Sequence, residues 1–253
     1  MYQEAAQNRE ERGMIIGRNA VAEAFKAERT IDTLFILRGE TNPAIKRLAS
    51  ICRERGGIVK EVDRKKLDSL CDGAKHQGVI AMAAAYSYST VEDMLQYAES
   101  KNEPPFLIVC DGLEDPHNLG AIMRTAEAVG AHGIIIPKRR SVSLNYTVAK
   151  SAAGALEHMR VARVANLVST LKELKEKGIW AYGADMDGTS YKDADMKGPI
   201  ALVVGAEGKG ISRLTAETCD FIVSLPMCGK INSLNASVAA GVLMYEIYSQ
   251  RNS

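Results

Sequence analysis

Short continuous apolar runs alternate along this chain with longer segments whose apolar positions recur every three or four residues. The first pattern predicts buried strands and the second amphipathic helices. Thr33–Leu37 reads as a strand. Pro43–Arg55 follows as a helix, with Pro43 near its first turn and Gly56-Gly57 after its end. Ile58–Val62 is a second strand, Lys65–Leu70 a short helix and Val79–Ala84 a third strand. A first α/β unit therefore runs from about Met14 to Ala85. The polar stretch after it ends in KNEPP and holds one helical segment near Val91–Glu99. The division that follows is a disordered lead-in over 1–12, a first domain over 13–86, a linker over 87–104 and a second domain over 105–253.

The second domain opens on the apolar run Phe106–Cys110. Further strands are expected at Gly133–Ile136, Met159–Val164, Ile179–Ala184, Ile200–Gly205 and Phe221–Leu225. Strands of this kind separated by helices predict a parallel sheet covered on both faces. Ligands in such sheets bind beyond the carboxyl ends of the strands. Three loops stand at those ends: DGLEDPHNLG after 106–110, GAEGKG after 200–204 and PMCGKINS after 221–225.

Residues 225–244, LPMCGKINSLNASVAAGVLM, carry a further signal. The polar cluster Asn232, Ser233, Asn235 and Ser237 leads into a helix of small apolar residues, with no charged side chain between Lys230 and Glu246. A surface helix shows a charged face, so this one is predicted to be buried. Its amides and hydroxyls then require partners from the fold or from a ligand.

Composition narrows the classes. At 46% hydrophobic and 25% charged, the chain is that of a globular protein. No apolar run approaches the roughly 20 residues of a membrane span, and the polar start MYQEAAQNREERG matches neither a signal nor a transit peptide. Five cysteines without a CxxC pair argue against disulfides and against a zinc site; no metal is expected, and a reducing cytoplasm fits best. Net charge is +1, with a small excess of positive charge in residues 1–90. Basic runs at Arg53–Arg55, Arg64–Lys66 and Lys138–Arg140 suit phosphate contacts or simply solvated surface.

In the first loop, Asn118 is expected to cap the following helix. Leu119, Ile122, Met123, Ala126 and Val129 have core spacing, which places Arg124 off the core stripe. Gly120, Ala121 and Ala128 flank it and leave room for an approaching group, although an ordinary surface arginine reads the same way. In the second loop, the glycines of GAEGKG allow close backbone approach to a ligand. Glu207 there repels phosphate and suits a hydroxyl or amine, and neither dinucleotide nor Walker spacing fits.

Taken together and in order, NLGAIMRTAEAVGA (118–131), LVVGAEGKGIS (202–212) and LPMCGKINSLNASVAAG (225–241) resemble the SpoU/TrmH family of knotted SPOUT methyltransferases. GRNAVAEAF (17–25) and KHQGVIA (75–81) are similar to the small L30e-like α/β substrate-binding domain of its ribosomal RNA members. The resemblance covers nearly the whole chain from Gly13 onward. It implies methyl transfer from S-adenosyl-L-methionine to a ribose 2′-hydroxyl of RNA, with a guanosine of 23S rRNA as the foremost target. It implies also a deep C-terminal trefoil knot, which general topology rules do not lead one to expect, and a homodimer with its site near the subunit interface.

By resemblance Arg124 is the catalytic arginine. Asn118, Glu207 and Asn235 match the other polar positions of the family site. Gly205, Leu225, Met227 and Leu234 match positions that bind the methyl donor, with Ser233 and Ser237 as secondary candidates. A guanidinium is effectively always protonated, which favours electrostatic stabilisation over general-base action. His117 suits capping or RNA contact, and His76 an ordered turn. A transfer RNA substrate and a catalytically silent ribosome-assembly factor remain the alternatives.

Overall fold

The computed structural model describes residues 13–71, 73–83, 87–230 and 233–253. The lead-in expected over 1–12 lies outside the described residues, as do Ala84–Tyr86 at the expected end of the first domain. The main division into two compact units falls between Ser87 and Tyr88.

The first unit is built on a four-stranded mixed sheet. Its strands are β1 (Met14–Ile16), β2 (Ile31–Leu37), β3 (Ile58–Val62) and β4 (Val79–Ala83), in the order β1-β4-β2-β3. β2 runs parallel to β3 and antiparallel to β4. Val79 and Ala81 face α1 (Arg18–Lys26) and α2 (Pro43–Glu54), in a core with Val21, Phe25, Leu34, Ile45 and Leu48. Ile80 points the other way, to Leu67 of α3 (Arg64–Leu70), as strand alternation requires. Asn42 caps α2 by accepting from Ala44 N at 2.9 Å, with Pro43 in the first turn. His76 orders the turn before β4 as expected: its Nδ1 accepts from Gly78 N at 3.0 Å, and its Nε2 lies 3.1 Å from Asp68.

The second unit has a six-stranded, wholly parallel sheet: β5 (Phe106–Asp111), β6 (Gly133–Pro137), β7 (Val161–Val164), β8 (Trp180–Ser190), β9 (Ile200–Gly205) and β10 (Phe221–Ser224). The order is β10-β8-β9-β5-β6-β7. Leu107, Val109, Ile135, Ala201 and Val203 pack with Met94 of α4 (Val91–Ser100) and with Leu167, Leu171 and Leu174 of α7 (Leu167–Glu176). The other face receives α5 (Pro116–Ala128) and α9 (Ala236–Arg251), which also touch one another. α6 (Tyr146–Ala152) and α8 (Arg213–Thr218) complete the α-helices of this unit among the described residues. Arg251 ties down the end of α9 by donating to the carbonyl oxygens of Pro104 at 3.0 Å and Pro105 at 2.9 Å. Burial pulls its guanidinium down to about 10.

Three local readings change. The N-cap of α5 is Asp115, which accepts from His117 N at 2.8 Å with Pro116 at the first helical position. Asn118 instead lies inside the first turn and is buried. Gly120 leaves no room for a ligand, because a Cβ there would strike Ser151 and approach the Val148 carbonyl oxygen to 2.8 Å; the absent side chain lets α6 pack against α5. α9 is not buried all round. Ala240, Leu243, Met244 and Ile247 are inside, but Val238, Val242, Tyr245 and Tyr248 are exposed on the opposite side.

Candidate active site

The loops after β5, β9 and β10 meet at the carboxyl end of the sheet, as the parallel topology dictates. The loop after β9 is a tight turn in which Ala206 and Gly210 exchange backbone hydrogen bonds of 3.1 and 2.9 Å. Gly205 makes this closure possible, since a Cβ there would fall on the backbone of Gly210. Gly208 and Gly210 adopt φ of +73° and +63°, conformations that other residues rarely hold. Asp111, at the end of β5, accepts from Ser212 N at 2.8 Å and so fixes the far side of the turn.

Asn235 is the N-cap of α9, and its Oδ1 accepts from Ser237 N at 2.9 Å and Val238 N at 3.3 Å. Those bonds aim its Nδ2 at two partners. It donates to Asn118 Oδ1 at 3.0 Å and, by a short bond, to Glu207 Oε1. One amide therefore joins the three loops, and the partner of Glu207 is an N–H donor, the type its chemistry favours. The donors at the start of α9 are taken up by Asn235 itself, which leaves this helix end less open to an outside anion than a bare terminus.

A cavity of about 240 Å³ lies beside this cluster. Five of the six residues matched to donor binding line it: Gly205, Leu225, Met227, Ser233 and Leu234. Glu207 lines it too. Ser237 does not; it borders a separate hollow between α5 and α9 with Ala121, Thr125, Val242 and Tyr245. Asp185, Met186 and Lys209 also line the cavity; Lys209 belongs to the GAEGKG loop, whereas no sequence pattern singled out Asp185 or Met186. Asp185 and Met186 get there because β8 leaves and rejoins its ladder, a departure that only strand pairing reveals.

Arg124 is not part of the cluster. It sits six residues beyond Asn118 on α5, roughly 9 Å along the axis at 1.5 Å per residue. It is exposed and makes no hydrogen bond or ion pair among the described residues. His117, next to Asn118, places its Nδ1 3.0 Å from Ser151 Oγ, and among the described residues no histidine lines the cavity. Burial pushes the Cys110 thiol on β5 up to about 12, which leaves it inert as a nucleophile.

The family model described as the SpoU rRNA Methylase family matches residues 105–245. The chain belongs to that family. A second model, RNA 2′-O ribose methyltransferase substrate binding, matches residues 14–89. The SpoU/TrmH resemblance read from the three motifs is thus borne out, and the protein is a member of an RNA methyltransferase family. A putative TrmH family tRNA/rRNA methyltransferase from Bacillus subtilis is 52% identical over 94% of this chain and 96% of its own length. The SpoU methyltransferase AviRb from Streptomyces viridochromogenes, solved with AdoMet, shares the fold at a TM-score of 0.60 and 24% identity, over 97% of this chain and 93% of that one. A TrmH/SpoU tRNA modifying enzyme from A. aeolicus gives a TM-score of 0.54 at 26% identity, covering 63% of this chain and 84% of its own. Among the described residues no helix is long and apolar enough to cross a membrane, and no group of three His, Cys, Asp or Glu side chains converges as a metal site does.

Proposed function

We propose that this SpoU family member methylates a ribose 2′-hydroxyl of RNA with S-adenosyl-L-methionine, and that its target is a guanosine of 23S rRNA. The observation that carries the reading is the junction of Asn118, Glu207 and Asn235 at the rim of the cavity lined by Gly205, Leu225, Met227 and Leu234. The cavity suits the donor chemically. Leu225, Met227 and Leu234 offer an apolar wall to a heterocycle, the glycine turn allows backbone approach, and Asp185 and Glu207 favour a cationic ligand.

Bound donor supplies an already activated methyl group on a sulfonium. The chain has to hold the ribose oxygen in line with that methyl and offset the negative charge that develops as the hydroxyl proton leaves. Glu207, fixed by the amide pair Asn118 and Asn235, orients the ribose. The guanidinium of Arg124 supplies the positive charge. With no imidazole on the cavity wall, the proton passes to water, and the products are the methylated ribose, S-adenosylhomocysteine and a proton.

Residues 13–86 act as the RNA-binding domain and 105–253 as the catalytic domain, with the C-terminal segment threaded as a trefoil knot; 87–104 serve as a linker whose helix α4 is packed into the catalytic unit through Met94. The target preference is supported by the substrate-binding match over 14–89, while the tRNA modifying enzyme covers 63% of the chain. The protein works as a homodimer. The hollow between α5 and α9, with Val238, Val242 and Tyr245 exposed around it, supports pairing of this face with a second copy, which brings Arg124 of one copy to the cavity of the other. The test is methyl transfer by the purified protein from labelled donor to unmodified 23S rRNA and to a tRNA pool. Label in a 2′-O-methylated rRNA nucleotide is expected; label in tRNA alone moves the substrate, and label in neither removes the activity.

A further inference from the structure

β8 does not run straight past β10. Tyr182 and Gly183 pair with Phe221 and Ile222, but the next residue of β10, Val223, pairs with Thr189. Residues 184–188 therefore leave the ladder as an excursion, and the excursion is closed at both ends. Gly188 comes back so close to β10 that a Cβ would meet the Ile222 carbonyl oxygen at 2.5 Å, and Ser224 Oγ donates to Gly188 O at 2.8 Å. A loop so fixed delivers Ala184, Asp185 and Met186 to the cavity wall.

The Asp185 carboxylate is held in one orientation. Its Oδ1 accepts from Met186 N at 2.7 Å. Its Oδ2 has no hydrogen-bond partner among the described residues, and it faces the glycine turn, 3.4 Å from where a Cβ on Gly210 would stand. The other carboxylate of the wall, Glu207, is already engaged by Asn235. Among the described residues the cavity wall thus carries an oriented, half-buried carboxylate oxygen without a donor, and a ligand seated in the cavity can supply one.

We propose that Asp185 is a donor-binding residue, accepting through Oδ2 a hydrogen bond from an N–H or O–H group of the bound S-adenosyl compound. The proposal rests on the S-adenosylmethionine reading above. Two parts of that ligand carry such groups, the nucleoside and the amino-acid ammonium. 5′-Methylthioadenosine has the first and lacks the second.

The experiment is calorimetric titration of the full-length wild type and of Asp185→Asn with S-adenosylmethionine, with S-adenosylhomocysteine and with 5′-methylthioadenosine, beside a thermal melt without ligand. Asparagine keeps the acceptor for Met186 N, so the melt is expected to stay within a few degrees. S-adenosylmethionine should bind the variant about 10- to 100-fold more weakly, the range for a hydrogen bond to a charged group. An equal loss for 5′-methylthioadenosine assigns the bond to the nucleoside. A loss spared in 5′-methylthioadenosine but shared by S-adenosylhomocysteine, which keeps the ammonium and lacks the sulfonium, assigns it to the ammonium. A loss for S-adenosylmethionine alone overturns the hydrogen bond. Unchanged affinity in the variant, with tight binding by wild type, overturns the role of Asp185. Failure of the wild type to bind S-adenosylmethionine overturns the donor reading of the cavity itself, and the proposal with it.

Discussion

Asn235 donates its side-chain amide to Asn118 Oδ1 at 3.0 Å, across 117 residues of chain. The same side chain caps α9 and donates to Glu207. Structure and chemistry therefore meet in one residue, and two substitutions separate them. Asn235→Asp keeps the oxygen that caps the helix but loses the amide donor and faces the Glu207 carboxylate. Asn235→Ala loses both. The melt should fall by about 1 kcal/mol equivalent for alanine, the usual cost of a lost cap. Turnover should fall by a hundredfold or more in both, as measured on the same RNA.

Arg124 is exposed and makes no hydrogen bond or ion pair among the described residues. Arg124→Ala should abolish methyl transfer while donor affinity, read by calorimetry, and the melting temperature stay close to wild type. Near-normal turnover by the purified variant would remove the assigned role.

Gly205 has no room for a side chain, because a Cβ would fall on the Gly210 backbone. Gly205→Ala should open the turn, lower stability by about 2 kcal/mol as overpacking does, and abolish donor binding in calorimetry even where the protein remains soluble.

His132 is buried; its Nδ1 accepts from Phe106 N at 2.9 Å and its Nε2 stands 3.1 Å from Glu103. Burial lowers its affinity for a proton below the ordinary imidazole value of 6.5, with Arg251 and Lys101 acting in the same sense against the pull of Glu103. The unfolded chain then binds more protons than the folded one as pH drops below that value. Stability is therefore full above about pH 7 and declines as pH falls through the ordinary imidazole range. Melting temperatures from pH 8 to 5 should show this decline, and His132→Asn should show a shallower one.

The exposed side of α9 tests the dimer. Val242 stands among Val238, Tyr245 and Gly241 at the hollow against α5. Val242→Glu should convert the protein to a monomer in sedimentation and cut turnover at least tenfold, while the monomer keeps its fold by circular dichroism. A wild type that sediments as a monomer would contradict this part of the account.

Much of this fold was legible because apolar runs bounded by turn residues mark buried strands well. Ile58–Val62 and Ile200–Gly205 end where the runs end. β1 was missed because three residues carry no periodicity. α6 was missed because YTVAKSA has neither a cap signal nor a clear stripe. The return of β8 through DGTS is polar, so it reads as loop although it pairs with β10. At the site, the motif residues converge except Arg124 and Ser237; Ser237 borders the α5/α9 hollow rather than the cavity, and Arg124 is exposed on α5. The missing charges of residues 231–245 predict burial, yet the helix shows Val238, Val242 and Tyr245 to solvent. An uncharged stripe signals a surface that will be covered, and sequence alone does not say by what. Asp185 left no signal, because its place depends on a change of pairing register rather than on a motif.

The central claim is ribose methylation of 23S rRNA, and nucleotide-resolution mapping of 2′-O-methylation on ribosomal RNA tests it most directly. Cells lacking this protein should lose one modified guanosine in 23S rRNA, and it should return with the wild-type gene but not with Arg124→Ala. An unchanged 23S rRNA map in the deleted cells would contradict the account.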